Sequence, residues 1–280
     1  MSVDAAPTAR YRGPSALGDD VRRFWNLTIT LAATDFKLRF FGSVLGYLWT
    51  LMRPLLLFSV IYVVFTEIVR FGGGVEHYPV YLLTSIVLFS FIAESTTKGV
   101  TSLVDRENLL RKIRFPRLVI PLSVALSALF NLLANMVVVF IFVFISGIQP
   151  TLDWIQVPLL IAMLVVLATG VTMLVSALYV RYRDMEPIWE VTLQLLFYAS
   201  PILYVITFVP EDFRKVAASN PLATILTQMR HALIDQNAPT APTVLGGWVE
   251  LLIPVGIVAA IFAAGFWVFF RETPRIAENL

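Results

Sequence analysis

The stretch LVIPLSVALSALFNLLANMVVVFIFVFI, residues 118–145, runs for 28 residues without a charged side chain. About 20 helical residues cross a hydrocarbon core of ~30 Å, so this stretch is long enough to span a membrane by itself. Working outward, five more long apolar stretches appear at 47–69, 79–104, 155–180, 191–209 and 248–270. The cations cluster in alternate gaps: Lys37 and Arg39; Arg106, Arg111, Lys112, Arg114 and Arg117; Arg181 and Arg183; Arg271 and Arg275. The gaps 71–78 and 146–154 hold no Lys or Arg. Positively charged loops stay on the cytoplasmic side, so the pattern predicts an all-α integral membrane protein with six transmembrane helices and both termini cytoplasmic.

Composition agrees. The chain is 58% apolar and only 14% charged, against about 25% charged in an ordinary soluble domain. Its net charge of +2 matters less than where the charges sit. With no cysteine, disulfides and thiolate metal sites are excluded. The two histidines, His77 and His231, fall in expected outer segments without a cluster of metal ligands, so no metal is expected. No G-x-x-x-x-G-K-[ST] loop occurs, so ATP is not bound in the P-loop manner. Nor is there the dense set of acids and bases that an intramembrane enzyme requires. Energy for active transport would have to come from a partner, and nucleic acid is not an expected one.

Residues 1–19 are polar and rich in Pro, Gly and Ala, and they read as a disordered cytoplasmic leader without a secretory signal. In 20–40, Val21, Phe24, Leu27, Leu31 and Leu38 recur at helical spacing among charged residues. That predicts an amphipathic helix at the membrane surface, or one packed on protein. The transmembrane domain proper is expected over 41–270, followed by a cytoplasmic tail at 271–280. In the first span Tyr47 and Trp49 suit the headgroup boundary, Arg53 is placed to snorkel, and Pro54 removes a helix hydrogen bond.

Glu94 and Lys98 stand four residues apart in the second span, either as a polar lining or as an ion pair stabilising the helix end. Asn131 and Asn135 share a face of the third, where amides act as glue between helices or contact substrate. Ser200-Pro201 interrupts the fifth. In the outer segment 210–247, Asn220 is a good N-cap and Pro221 a good first helical residue. Leu222, Ile225, Leu226, Met229 and Leu233 then form one stripe. A helix of about 14 residues is too short to cross, which predicts re-entrant or interfacial gate helices between spans five and six.

Of the two inner loops, 105–117 reads DRENLLRKIRFPR, with Leu109, Leu110 and Ile113 forming an apolar edge among cations. Such a short helix suits docking to a soluble partner, although topology anchoring or anionic lipid also accounts for the cations. The loop 179–187 is shorter, with Asp184 and Pro187 marking a helix start.

Several stretches together resemble the membrane subunit of ABC-2 type polysaccharide exporters, the exporters of O-antigen, teichoic acid and galactan. They are FGSVLGYLWTLMRP (41–54), RKIRFPR (111–117), RYRD (181–184), YASPILY (198–204) and Asn220-Pro221. The resemblance implies a homodimer joined to two copies of a separate ATPase, which would hold the ATP and magnesium, this chain having no cofactor. It implies coupling to the ATPase through Asp105, Glu107, Leu109, Leu110, Arg111, Ile113 and Arg114, with Arg181, Arg183 and Asp184 as a second contact. A polyprenyl-pyrophosphate-linked glycan would enter from the membrane lipid through a lateral gate between spans one and five. The aromatics expected along that path are Tyr47, Trp49, Phe58, Tyr62, Phe65, Phe197, Tyr198 and Tyr204, with Arg53 facing the pyrophosphate. Asn220, Pro221, Met229 and Arg230 would belong to the outer gate. The Arg-rich balance, 17 of 21 Lys and Arg, makes galactan the first expectation for the sugar. Competing readings are an exporter of a small lipid or drug and a membrane enzyme of glycan assembly.

Overall fold

A computed structural model describes residues 21–38, 46, 48–69, 74–107 and 116–279, the last seven of these as helix backbone. Among them there are helices and no strands. The leader 1–19 and the residues Tyr47, Leu109, Leu110, Arg111, Ile113 and Arg114 lie outside the described set.

The first helix, α1, is Val21–Leu38. The long helices follow: α2 Leu48–Val63, α3 Tyr78–Asp105, α4 Val119–Ile145 and α5 Gln156–Arg181. Next come α6 Met185–Ala199 and three short helices, α7 Glu211–Ala218, α8 Pro221–Leu233 and α9 Ala241–Leu245. The chain closes with α10, Leu252–Asn279. Five helical segments are long and apolar enough to cross a membrane: Leu48–Ile68, Tyr78–Asp105, Val119–Ile145, Leu152–Arg181 and Leu252–Glu272. The protein is therefore a multi-pass integral membrane protein.

The expected crossing over 191–209 is a shorter helix. α6 has 15 residues, about 22 Å of rise. It stops where Ser200 turns extended, with φ −99° and ψ 148°. The cause is local, because the ring of Pro201 disfavours the helical region for the residue before it and offers no N–H to continue the ladder.

α3 is the central helix, buried along 72% of its most apolar window, and it packs on α4 and α5. α2 lies at the edge, with only 11% of its window buried. α5 makes its most extensive contact with α10, and the reason lies in the glycines. A Cβ on Gly265 would overlap the Gly170 carbonyl oxygen and sit 3.0 Å from its carbon. One on Gly170 would lie 2.7 Å from the Phe262 Cα. Apolar lipid gives helices little reason to associate through hydrophobicity, so close backbone approach at small residues supplies the packing. α3 meets α5 by the same device, with Gly99 against Thr172.

At one end of the bundle a second core joins Phe24 of α1 to Leu103, Ile120, Met173 and Phe269. At the far end Ile206, Ala218, Val244 and Leu245 form a small third cluster.

Candidate functional site

Arg53 and Trp49 of α2 face Glu94 and Lys98 of α3 across a cavity of about 600 Å³, which Thr50, Ser90 and Asn135 also line. Lys98 Nζ donates to Glu94 Oε1 at 2.9 Å, and Asn131 Nδ2 donates to the same oxygen at 2.6 Å. The two alternatives for the Glu94–Lys98 pair thus coexist: it is an ion pair and it lines a cavity. Asn135 in turn donates to the Asn131 carbonyl at 2.9 Å, so the two amides act together. Among the described residues, Asn131 Oδ1 and Thr50 Oγ1 are buried without a hydrogen-bond partner. An unpaired buried polar atom costs about 1–3 kcal/mol, a cost that a ligand hydroxyl would remove at Thr50, which lines this cavity.

Lys98 also lines an adjoining cavity of about 390 Å³ with Asp35, Thr101, Asp105 and Arg106. There Arg106 pairs with Asp35 of α1 and donates from Nη1 to Ser123 Oγ at 3.0 Å. One side chain at the C-terminal end of α3 therefore fastens α1 and α4. Asp105 accepts from Thr101 at 2.7 Å, at the start of the inner loop. Glu107 is the last described residue before that loop's undescribed part. In the second inner loop Arg181 lies over the Tyr182 ring and Arg183 over the Tyr179 ring, at 5.2 Å and 4.9 Å. Asp184 sits at the N-cap of α6 without a side-chain capping bond. Arg117 is partly buried, and desolvation lowers its pKa.

Toward the far end, four of the expected aromatics converge. Phe65, Phe197, Tyr198 and Tyr204 line one cavity of about 390 Å³ with Leu203 and Phe208. Phe65 arrives there on a π-helical turn, Val64–Ile68, that ends α2. Phe197 packs edge-on to Tyr198 at 5.3 Å and to Phe89 at 5.0 Å. Phe58 and Tyr62 do not join them. They stack at 5.6 Å, and Phe58 also meets Phe142 edge-on inside the core.

The chain after the α6 break is held by hydroxyls from α3, which the sequence reading missed. Tyr81 donates to the Pro201 carbonyl, and its oxygen lies 2.9 Å from the Tyr204 carbonyl. Tyr78 donates to the Leu203 carbonyl at 2.8 Å. Asn220 Nδ2 donates to Ser200 Oγ at 3.0 Å, and its Oδ1 accepts from Leu222 N at 3.0 Å as the N-cap of α8, with Pro221 in the first turn. α8 is enclosed by protein, with Leu222, Ile225, Leu226, Met229 and Leu233 no more than 1% exposed. Arg230 lies 5.8 Å from the Tyr81 ring and pairs with Asp235 at 3.2 Å, both nearly buried. Gln228 donates to Gln156 at 2.6 Å and Gln236 to Asp153 at 3.0 Å, fixing α8 and the segment after it against the start of α5.

Among the described residues no group of His, Cys, Asp and Glu is arranged to hold a metal ion. The fold and these cavities define a multi-pass helical membrane protein with a polar recess at one end and an aromatic one toward the other. Residues 26–234 match the family described as ABC-2 type transporter, and the chain belongs to that family. It is 30% identical over 257 residues to an O-antigen export system permease protein of Klebsiella pneumoniae, covering 91% of this chain and 95% of that one. A protein of the same description from Myxococcus xanthus is 25% identical, covering 93% of this chain and 98% of its own. A polysialic acid transport protein of Escherichia coli is 19% identical, over 71% of this chain and 78% of its own. The chain is accordingly a transport component and not an enzyme.

Proposed function

We propose that this chain is the membrane permease subunit of an ATP-binding-cassette exporter in a bacterial inner membrane. Its cargo is a polysaccharide carried on a polyprenyl pyrophosphate, with galactan the first candidate. The observation that carries this reading is the near full-length similarity to O-antigen export permeases, because it spans the recess, the α6 break and the outer helices together.

The geometry fits. Aromatic faces hold sugar C–H surfaces without fixed charge, so a chain of sugars slides past Phe65, Phe197, Tyr198 and Tyr204 without a deep energy well. Arg53 and Lys98 supply cations for a pyrophosphate in a recess whose Trp49 plate and Thr50 hydroxyl suit a sugar. In this reading α6 and the segment to 209 form a sixth, broken crossing, which returns both termini to the cytoplasm. α8 is the re-entrant outer gate, sheltered by protein as non-spanning backbone at membrane depth must be.

Two ATPase copies dock on a homodimer of this chain through the loop 105–117 and through Arg181, Arg183 and Asp184. α1 lies at the cytoplasmic membrane surface as the gate helix. The test is copurification: replacing Leu109, Leu110 and Ile113 by Ser loses the ATPase while membrane insertion persists. Full retention of the ATPase refutes the docking surface.

A further inference from the structure

A pair of arginines lies away from both recesses. Between the C-terminal end of α5 and the part of α10 beside it is a cleft of about 290 Å³. Arg181 and Tyr182 form one wall, and Trp267, Arg271 and Glu272 the other, over a floor of Ala177, Leu178 and Val268. Each guanidinium rests near an aromatic ring, Arg181 at 5.2 Å from Tyr182 and Arg271 at 5.2 Å from Trp267. Among the described residues neither arginine forms an ion pair. Trp267 is 60% exposed and Tyr182 50% exposed.

We propose that this cleft binds the phosphodiester headgroup of an anionic phospholipid, bridging Arg181 of α5 and Arg271 of α10. The assignment to the cytoplasmic leaflet rests on the orientation proposed above. Two features select a lipid over a free anion or a protein. Exposed Trp and Tyr rings at the ends of two spans are what the headgroup layer favours. The floor is apolar, which suits the glycerol and first acyl carbons and not an aqueous ion. The volume, on the order of ten water molecules, accommodates a headgroup. Arginine suits the role because its planar fork binds two phosphate oxygens at once.

The site shares Arg181 with the ATPase contact proposed above, so a lipid in the plane of the membrane sits next to Arg183 and Asp184 of that contact. It also makes the join between α5 and α10 dependent on lipid at this end, below the close approach at Gly170 and Gly265.

The test is native mass spectrometry of the purified full chain, titrated with phosphatidylglycerol, with phosphatidylcholine and with inorganic phosphate. The wild type retains phosphatidylglycerol at least tenfold better than phosphatidylcholine. R181Q/R271Q loses most of that preference, R181K/R271K keeps part of it, and R183Q keeps all of it. Single R181Q and R271Q variants give intermediate losses, so the result is readable if the double variant is not recovered. Equal retention by R181Q/R271Q, an equal loss in R183Q, or phosphate binding without a phosphatidylglycerol preference overturns the proposal. None of these outcomes depends on the identity of the exported substrate, so a failure here is distinct from a failure of the export reading.

Discussion

Replacing Gly265 by Ala tests the packing on which the bundle depends. A Cβ there would overlap the Gly170 carbonyl oxygen, 3.0 Å from its carbon and 3.4 Å from its Cα. The obstacle is backbone, so no rotamer change relieves it. Restoring ordinary contact near 3.5–4 Å requires α5 and α10 to part by about 1 Å, which forfeits up to half of each dispersion contact across the seam. Overpacking of this kind costs about 1–3 kcal/mol, and the upper end applies where backbone must move. With ~2–4 °C per kcal/mol for a chain of this size class, G265A unfolds roughly 6–12 °C below wild type. Two glycines calibrate the measurement. G99A meets the Thr172 side chain most closely, Cγ2 at 2.5 Å and Cβ at 3.2 Å, with that residue's Cα at an ordinary 3.4 Å, and falls between. G256A meets nothing within 4 Å and is neutral or slightly stabilising. The assay is thermal unfolding of purified protein by fluorescence-detected size exclusion. A G265A melting temperature within about 1 °C of wild type, or no better than G256A, refutes the close-approach account.

Y81F leaves the Pro201 and Tyr204 carbonyls without the α3 hydroxyl, so it costs about 1–3 kcal/mol and raises hydrogen exchange over 202–209 more than elsewhere. Unchanged exchange there shows that Tyr81 does not hold the break. D35R and R106D each destabilise α1 docking, and the swapped double variant recovers most of the loss, with a coupling energy on the order of 1–3 kcal/mol in a double-mutant cycle of melting temperatures. Additive losses contradict the ion pair. Asn237→Cys reacts with an impermeant maleimide in intact spheroplasts, whereas Arg183→Cys reacts only after permeabilisation. The opposite labelling reverses the proposed orientation.

Long apolar runs separated by polar gaps made the helices legible, because a membrane span must satisfy its backbone internally over a fixed length. Asn220 and Pro221 announced α8 in the same way, since a cap and a first-turn proline act within a few residues of chain. Pro201 was equally visible, but its consequence was not: the 15-residue length of α6 follows only from seeing Ser200 turn extended. The resemblance to polysaccharide exporters also put eight aromatics along one path, yet rotation about each helix decides where a ring goes. Phe65 reaches the far cavity through a π-helical turn, while Phe58, two turns earlier, packs on Phe142. The Asp35–Arg106 pair and the Tyr81 hydroxyl bonds join residues 71 and 120–123 positions apart, and no short-range rule connects them. Gly170 and Gly265 carried a readable signal, small residues inside apolar spans, though not which helices they would bring together.

The central claim is that the chain exports a lipid-linked polysaccharide. The most direct measurement is depletion of the protein in its native cell, followed by mass spectrometry of polyprenyl-linked glycans. The account predicts accumulation of one long polymer on its polyprenyl pyrophosphate, whose sugars name the substrate. Unchanged lipid-linked glycans, with an altered small-lipid or drug profile instead, would contradict it.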